Sequence, residues 1–302
     1  MQYHLDRLRA AQHLVLTATL SALAVLGFTL GTTKSALAEF EIQESNIEKG
    51  RVELEYRGAV HWGIPKAEKE ESGDGDEGGA LDSEVDEGPL RQSHDIEMEW
   101  GATEWLLLTV TLTGDQPLSE NFAVSGVELE TQVEFIERKG NGLGLAFTAG
   151  YGFATRGGEA DEIEFGPIVE LASGKFLLTL NPFLSAQVGE NRQTDGLGFQ
   201  YGWRAQYNFA KHWGVGAEMF GEIEDLSNAG SFDDQNHSIG PTLFYKLGED
   251  DENEGGNGGD DDDNKKVGGA PEMEFSLNVG LQFGLTDVTS DTALKFQGTL
   301  EF

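Results

Sequence analysis

Residues 197–209 read LGFQYGWRAQYNF. Leu197, Phe199, Tyr201, Trp203, Ala205, Tyr207 and Phe209 alternate with Gly198, Gln200, Gly202, Arg204, Gln206 and Asn208. Successive side chains of an extended chain point to opposite faces, so one face here is an apolar, largely aromatic band and the other is glycine and polar groups. The run is about twice the usual strand length of soluble domains. A tilted strand crossing a hydrocarbon layer needs roughly 9 to 11 residues, apolar outward and polar inward. The stretch therefore reads as one stave of a transmembrane β-barrel.

The same alternation recurs along the chain. Val52, Leu54, Tyr56, Val60 and Trp62 oppose Arg51, Glu53, Glu55, Arg57 and His61, and Ile96, Met98 and Trp100 oppose Asp95, Glu97 and Glu99. Residues 105–113 are apolar on both sides at their start, which leaves their facing open. Val127, Leu129, Val133 and Phe135 oppose Glu128, Glu130, Gln132 and Glu134, and Leu143 to Phe153 alternate with a small-residue face that includes Gly144, Gly150 and Gly152. Segments near 163–171, 176–185, 215–219, 239–245, 273–283 and 294–302 follow the rule. With the opening stretch they make about twelve strands, and no helical periodicity of useful length follows residue 50. The fold class expected is all-β, a transmembrane antiparallel up-and-down barrel.

The connections alternate as in barrels with short periplasmic turns and longer outer loops. Links near 101–104, 138–141, 172–174 and 210–212 are tight, and those near 65–90, 114–121, 155–161, 189–194 and 224–235 are longer. The alternation breaks once. The insert after Leu247 falls on the turn side and the final link, 286–290, is short; either the last hairpin is irregular or the count is off by one. Trp100, Trp105, Phe135, Phe176, Phe209 and Trp213 border the tight turns, where a membrane barrel carries its aromatic girdle. A secreted β-sandwich is the alternative, and it would use shorter strands.

Arg7 and Arg9 precede an uncharged apolar run over 14–30, and Ala36, Leu37 and Ala38 form a small-residue processing site. Residues 1–38 are expected to be a cleaved secretory signal peptide, with a retained single helix as the alternative, and 39–302 the barrel. The chain has no cysteine and a formal net charge of −34. Removing the leader, which carries Arg7, Arg9 and Lys34 against Asp6, makes it more acidic still, which argues against nucleic-acid binding. Two acidic inserts, 67–88 and 248–270, are too polar to contribute to a core. Asp74, Asp76 and Glu77 in the first lack the ordered ligand spacing of a calcium loop, and no metal or cofactor is expected.

The polar faces define the candidate lumen. Glu53, Glu55, Glu97, Glu99, Glu128, Glu130 and Glu218 are expected to line it with Glu134, Glu162, Glu164, Glu170, Glu222, Glu274 and Glu301, against Arg51, Arg57, Arg204, Lys246 and Lys295. Acidic rings at a constriction favour cations, and a barrel of this size lies between side-chain-filled and water-filled ones. Small cations or neutral solutes are the expected cargo, with Arg204 a candidate selectivity residue. The bland alternative is a structural barrel whose charges pair across strands. An outer-membrane barrel hydrolase is the lesser alternative, and catalysis is not expected: His61, His94, His212 and His237 form no nucleophile motif, and Ser93 and His94 point to opposite faces.

The chain end 294–302, LKFQGTLEF, resembles the assembly signal of bacterial outer-membrane proteins, with Phe302 terminal and Gly298 departing from the alternation. Residues 44–62, 91–100 and 275–302 resemble a proteobacterial outer-membrane group labelled putative MetA-pathway of phenol degradation. That resemblance implies a Gram-negative outer-membrane, porin-like transporter, weakly suggests small aromatic compounds as solutes, and carries over no catalytic residue. Outer-membrane lipid and lipopolysaccharide are the expected surroundings. The barrel-assembly machinery is the expected partner of the terminal strand.

Overall fold

The structure, a computed structural model, describes residues 40–64, 90–118, 120–156, 158–248 and 273–302. The leader and both acidic inserts, apart from Gly248, lie outside the described residues. The strands are β1 (Val52–Trp62), β2 (Leu90–Gly101), β3 (Leu106–Pro117), β4 (Ala123–Ile136), β5 (Gly142–Ala154), β6 (Asp161–Ser173), β7 (Phe176–Val188), β8 (Gly198–Ala210), β9 (Trp213–Ile223), β10 (Asn236–Leu247), β11 (Glu274–Gly284) and β12 (Thr292–Glu301). Each pairs antiparallel with its neighbours in sequence, and β1 closes on β12. Closure leaves no free edge, so the ladder satisfies the backbone all round.

Both ends of the barrel chain meet on one side, where Val52 and Phe302 exchange backbone hydrogen bonds of 2.9 Å. The short links between β2 and β3, β4 and β5, β6 and β7, and β8 and β9 share that side. In the two-residue link between β6 and β7, Gly174 takes φ +60°, where a Cβ would be strained, and its N–H donates to Asn141 Oδ1. The broken alternation is a real property of a twelve-stranded barrel. β10 ends and β11 begins on the turn side, and the short β11–β12 link, 285–291, lies at the opposite end.

Burial is inverted relative to a soluble domain. Leu129 is 48% exposed on the outer face, as are Leu143, Val215, Leu243, Leu277, Val279 and Leu281 to similar extents. Trp100, Trp105, Phe135, Phe176, Phe209 and Trp213 are exposed around the turn-side rim. Glu55, Glu97, Glu130, Glu170, Arg204, Glu218 and Lys295 are buried inside. The ambiguous β3 turns Leu107, Thr109, Thr111 and Thr113 inward and Leu106, Leu108, Val110 and Leu112 outward. An arginine at the midplane of a barrel's lipid face costs about 2–4 kcal/mol. Leu129→Arg should therefore lower folding stability in lipid vesicles by that amount, read by urea titration, whereas Leu129→Ile should leave it nearly unchanged.

Candidate functional site

Residues 40–50, which precede β1, run inside the barrel. Gly50 N donates to Gly101 O at the turn-side mouth (2.7 Å), and ten residues earlier Phe40 stacks on His61, near the loop-side end of β1, with ring centroids 5.7 Å apart. Between them the segment bonds to strands around the wall. Gln43 N donates to Asn181 Oδ1 (2.7 Å) and its Nε2 to Glu130 Oε2 (2.9 Å). Ser45 N and Oγ both donate to Glu170 Oε2, and Gln132 Nε2 donates to Glu44 O. Gly144 and Gly202 make room for it: an added Cβ would collide with Ser45 Oγ in the first case and meet Ile42 Cδ1 at 2.8 Å in the second. Phe40 packs with Ala59, Ala293 and Phe220 as a small apolar anchor. Residues 40–50 are a lumenal plug.

Ion pairs fix the plug and the wall together. Arg57 reaches Glu41 (3.1 Å), Glu55 (2.6 Å), Glu97 (3.4 Å) and Asp95 (3.5 Å). Arg204 Nε donates to Glu218 Oε1 (2.8 Å) while its Nη1 reaches Glu44 (3.2 Å), and the guanidinium lies 5.0 Å from the Phe244 ring centroid. Lys295 Nζ donates to Glu218 Oε2 (2.5 Å) and reaches Phe40 O (3.4 Å). At the turn-side mouth Arg51 pairs with Glu48, Glu274 and Glu301, and Lys246 with Glu274. Arg138 pairs with Glu170.

The carboxylates outnumber these cations, and many of them occupy two adjoining rows. One row runs Glu274, Glu301, Glu53, Glu99, Thr109, Glu130, Gly150, Glu164 in register across β11, β12 and β1 to β6. The other runs Glu55, Glu97, Thr111, Glu128, Gly152, Glu162. Barrel strands are tilted, so a row across them climbs the wall. The first row starts at the turn-side end of β11 and finishes near the loop-side end of β6. Together the two rows are a staircase of negative charge joining the two mouths. Among the described residues Glu53, Glu99, Glu128, Glu130, Glu162 and Glu164 have no basic group within ion-pair distance.

No family model matches the chain, and no curated protein matches it in sequence, so it is not assigned to the phenol-degradation group that residues 44–62, 91–100 and 275–302 resemble. Its structural neighbours are outer-membrane barrels. An outer-membrane channel from Pseudomonas putida F1 is 8% identical with a TM-score of 0.49, over 89% of this chain and all of that one (100%). A KdgM porin in complex with disordered oligogalacturonate is 8% identical with a TM-score of 0.44, over 83% of this chain and 98% of that one. The Acinetobacter baumannii outer-membrane protein Omp33 is 9% identical with a TM-score of 0.36, over 84% and 98%.

The residues singled out from sequence all lie on the lumenal side, divided into three groups. Glu55, Glu97, Arg204, Glu218 and Lys295 belong to the ion-paired network, Lys246 to the turn-side mouth, and Glu53, Glu99, Glu128 and Glu130 to the unpaired staircase. The plug residues Glu41, Gln43, Glu44 and Ser45 were not singled out. Two loop-side links are tied together where Thr194 Oγ1 donates to Asp225 Oδ2 (2.7 Å). Hydrogen bonds from Ser227 and Thr194 hold the Asp225 carboxyl below the usual carboxylate range. Of the histidines, His61 touches the plug, His94 and His237 meet Tyr56 and Tyr201 hydroxyls, and His212 meets Lys246 O. Ser93 is buried while His94 joins Tyr56 and Phe296 on the opposite face of β2.

Proposed function

We propose that the protein is a passive, porin-like channel of the Gram-negative outer membrane, with a plugged acidic lumen that passes small cations and neutral solutes. The observation that carries the reading is the charge balance of the wall. The lumenal arginines and lysines are held by carboxylates, and six further carboxylates on the staircase have no basic partner. In a narrow, partly desolvated lumen such an excess attracts cations and raises the barrier to anions. Neutral solutes, including the small aromatic compounds implied by the sequence resemblance, meet no such barrier. The apolar belt fits outer-membrane lipid with lipopolysaccharide outside, and the strand ending at Phe302 fits recognition by the barrel-assembly machinery. Residues 1–38 then serve as the cleaved export signal.

Mature protein in planar bilayers should give small discrete conductance steps. Under a potassium chloride gradient the reversal potential should move toward the potassium equilibrium value. Movement toward the chloride value would overturn the selectivity. A second reading, a sealed structural barrel, is favoured by the number of bonds that hold the plug; silence in the same recordings, with the folded barrel shown by its heat-dependent gel shift, would establish it.

A further inference from the structure

The loop-side end of the plug is held by one aromatic ring in a seat shaped for a ring. Phe40 stacks on His61 with centroids 5.7 Å apart and planes inclined by 20°, and it meets Phe220 edge-on at 5.2 Å. The small residues Ala59 and Ala293, both buried, pack with it. His61 is the last residue but one of β1 and Ala293 the second of β12, so the seat lies at the loop-side end of the lumen. Phe40 has φ +62°, a left-handed backbone that bulky residues rarely adopt, so seating this ring strains the chain that carries it.

A phenyl ring leaves one part of the seat unused. Gln282 of β11 stands in register with Ala293 of β12, and Ala293 with His61 of β1. Gln282 is 1% exposed, and among the described residues neither its Nε2 nor its Oε1 has a hydrogen-bond partner. Gly280 and Gly284 are its neighbours on the lumenal face of its own strand, and β10 passes it at Gly240, so these three positions offer its amide no side chain. A buried amide with both ends unmet is costly, and here it points to a partner from outside the chain. Neighbouring strands lie about 4.8 Å apart, so a substituent on a ring seated over Ala293 comes within reach of Gln282. That substituent must give a donor to Oε1 and an acceptor to Nε2 side by side. A carboxamide does both in one plane, a single hydroxyl meets one end only, and a carboxylate has no donor and is repelled by the acidic wall.

We propose that the seat of Phe40, completed by Gln282, is a binding site for a neutral monocyclic aromatic carboxamide, which takes the place of the Phe40 ring. The proposal rests on the channel reading, for which it names a class of solute, and binding is measured without conduction. Calorimetry on the detergent-solubilised mature protein should show saturable binding of one benzamide. Gln282→Leu, with its folding checked by the heat-dependent gel shift, should weaken binding about tenfold through loss of the paired amide bonds. Phe40→Ala should tighten it several-fold, because the competing ring is gone. Benzoate should bind at least about tenfold more weakly than benzamide. With a fluorinated phenylalanine at position 40, saturating benzamide should shift the fluorine resonance as the ring leaves its seat. Equal affinity in Gln282→Leu, weaker binding in Phe40→Ala, or an unmoved fluorine signal at saturation would overturn the site. A barrel that conducts but binds no benzamide, even as Phe40→Ala, would overturn the site and leave the channel standing. Binding that follows the expected order in a barrel that never conducts would keep the site and overturn the channel.

Discussion

Removing residues 40–49 should raise the single-channel conductance several-fold and, at the same time, reduce the preference for cations. Both effects follow from where the segment sits. It bonds to β1, β4, β6, β7, β8 and β12, so its backbone and side chains take up the middle of the lumen through much of its depth. Taking it out widens the path. It also removes Glu41 and Glu44, which hold Arg57 and Arg204, so two guanidinium groups lose part of their compensation and face the pore. Widening weakens the hold of the wall charges on passing ions, and the freed guanidinium groups offset part of those charges, so the selectivity should move toward neutrality. The measurement is the conductance and the reversal potential of the deleted and intact barrels under the same salt gradient. Equal conductance would mean that ions pass elsewhere than beside the plug.

The staves were legible and the plug was not, for a physical reason. A strand writes its environment into the chain every second residue, because lipid on one face and water on the other select opposite side chains. Residues 197–209 carry this so strongly that the inward placement of Arg204 could be read directly, and β3 alone was ambiguous because Leu107 faces inward beside Leu106 and Leu108. The plug forms no repeating element. Its bonds to β4, β6, β7, β8 and β12 run to partners between 87 and 255 positions away, and no local pattern encodes them. Two hints existed: a stretch after Ala38 that no strand uses, and inward glycines at Gly144 and Gly202 where most staves carry polar groups. The acidity of the lumen was equally legible. The division between paired and unpaired carboxylates needed the register across six strands.

Glu218→Gln should be the most destabilising isosteric change inside the barrel, costing about 3–5 kcal/mol. Glu218 is fully buried and takes Lys295 Nζ at 2.5 Å, Arg204 Nε at 2.8 Å and Thr242 Oγ1 at 2.7 Å. Neutralising it leaves two buried cations side by side with no anion between them. Lys295→Met should cost less, because Glu218 keeps Arg204 and Thr242 while a long apolar side chain fills the space beside Phe220, over whose ring Lys295 Nζ lies at 5.0 Å. The double change, Glu218→Gln with Lys295→Met, should recover part of the loss, since only Arg204 then remains, with Glu44 as its partner. Urea titration of the four proteins in vesicles gives the coupling directly. A double variant as unstable as the sum of the singles would mean that Lys295 and Glu218 act independently. The same triad reaches the plug through Lys295 to Phe40 O and Arg204 to Glu44, so Glu218→Gln should loosen the plug as well and make the open current noisier even in barrels that fold.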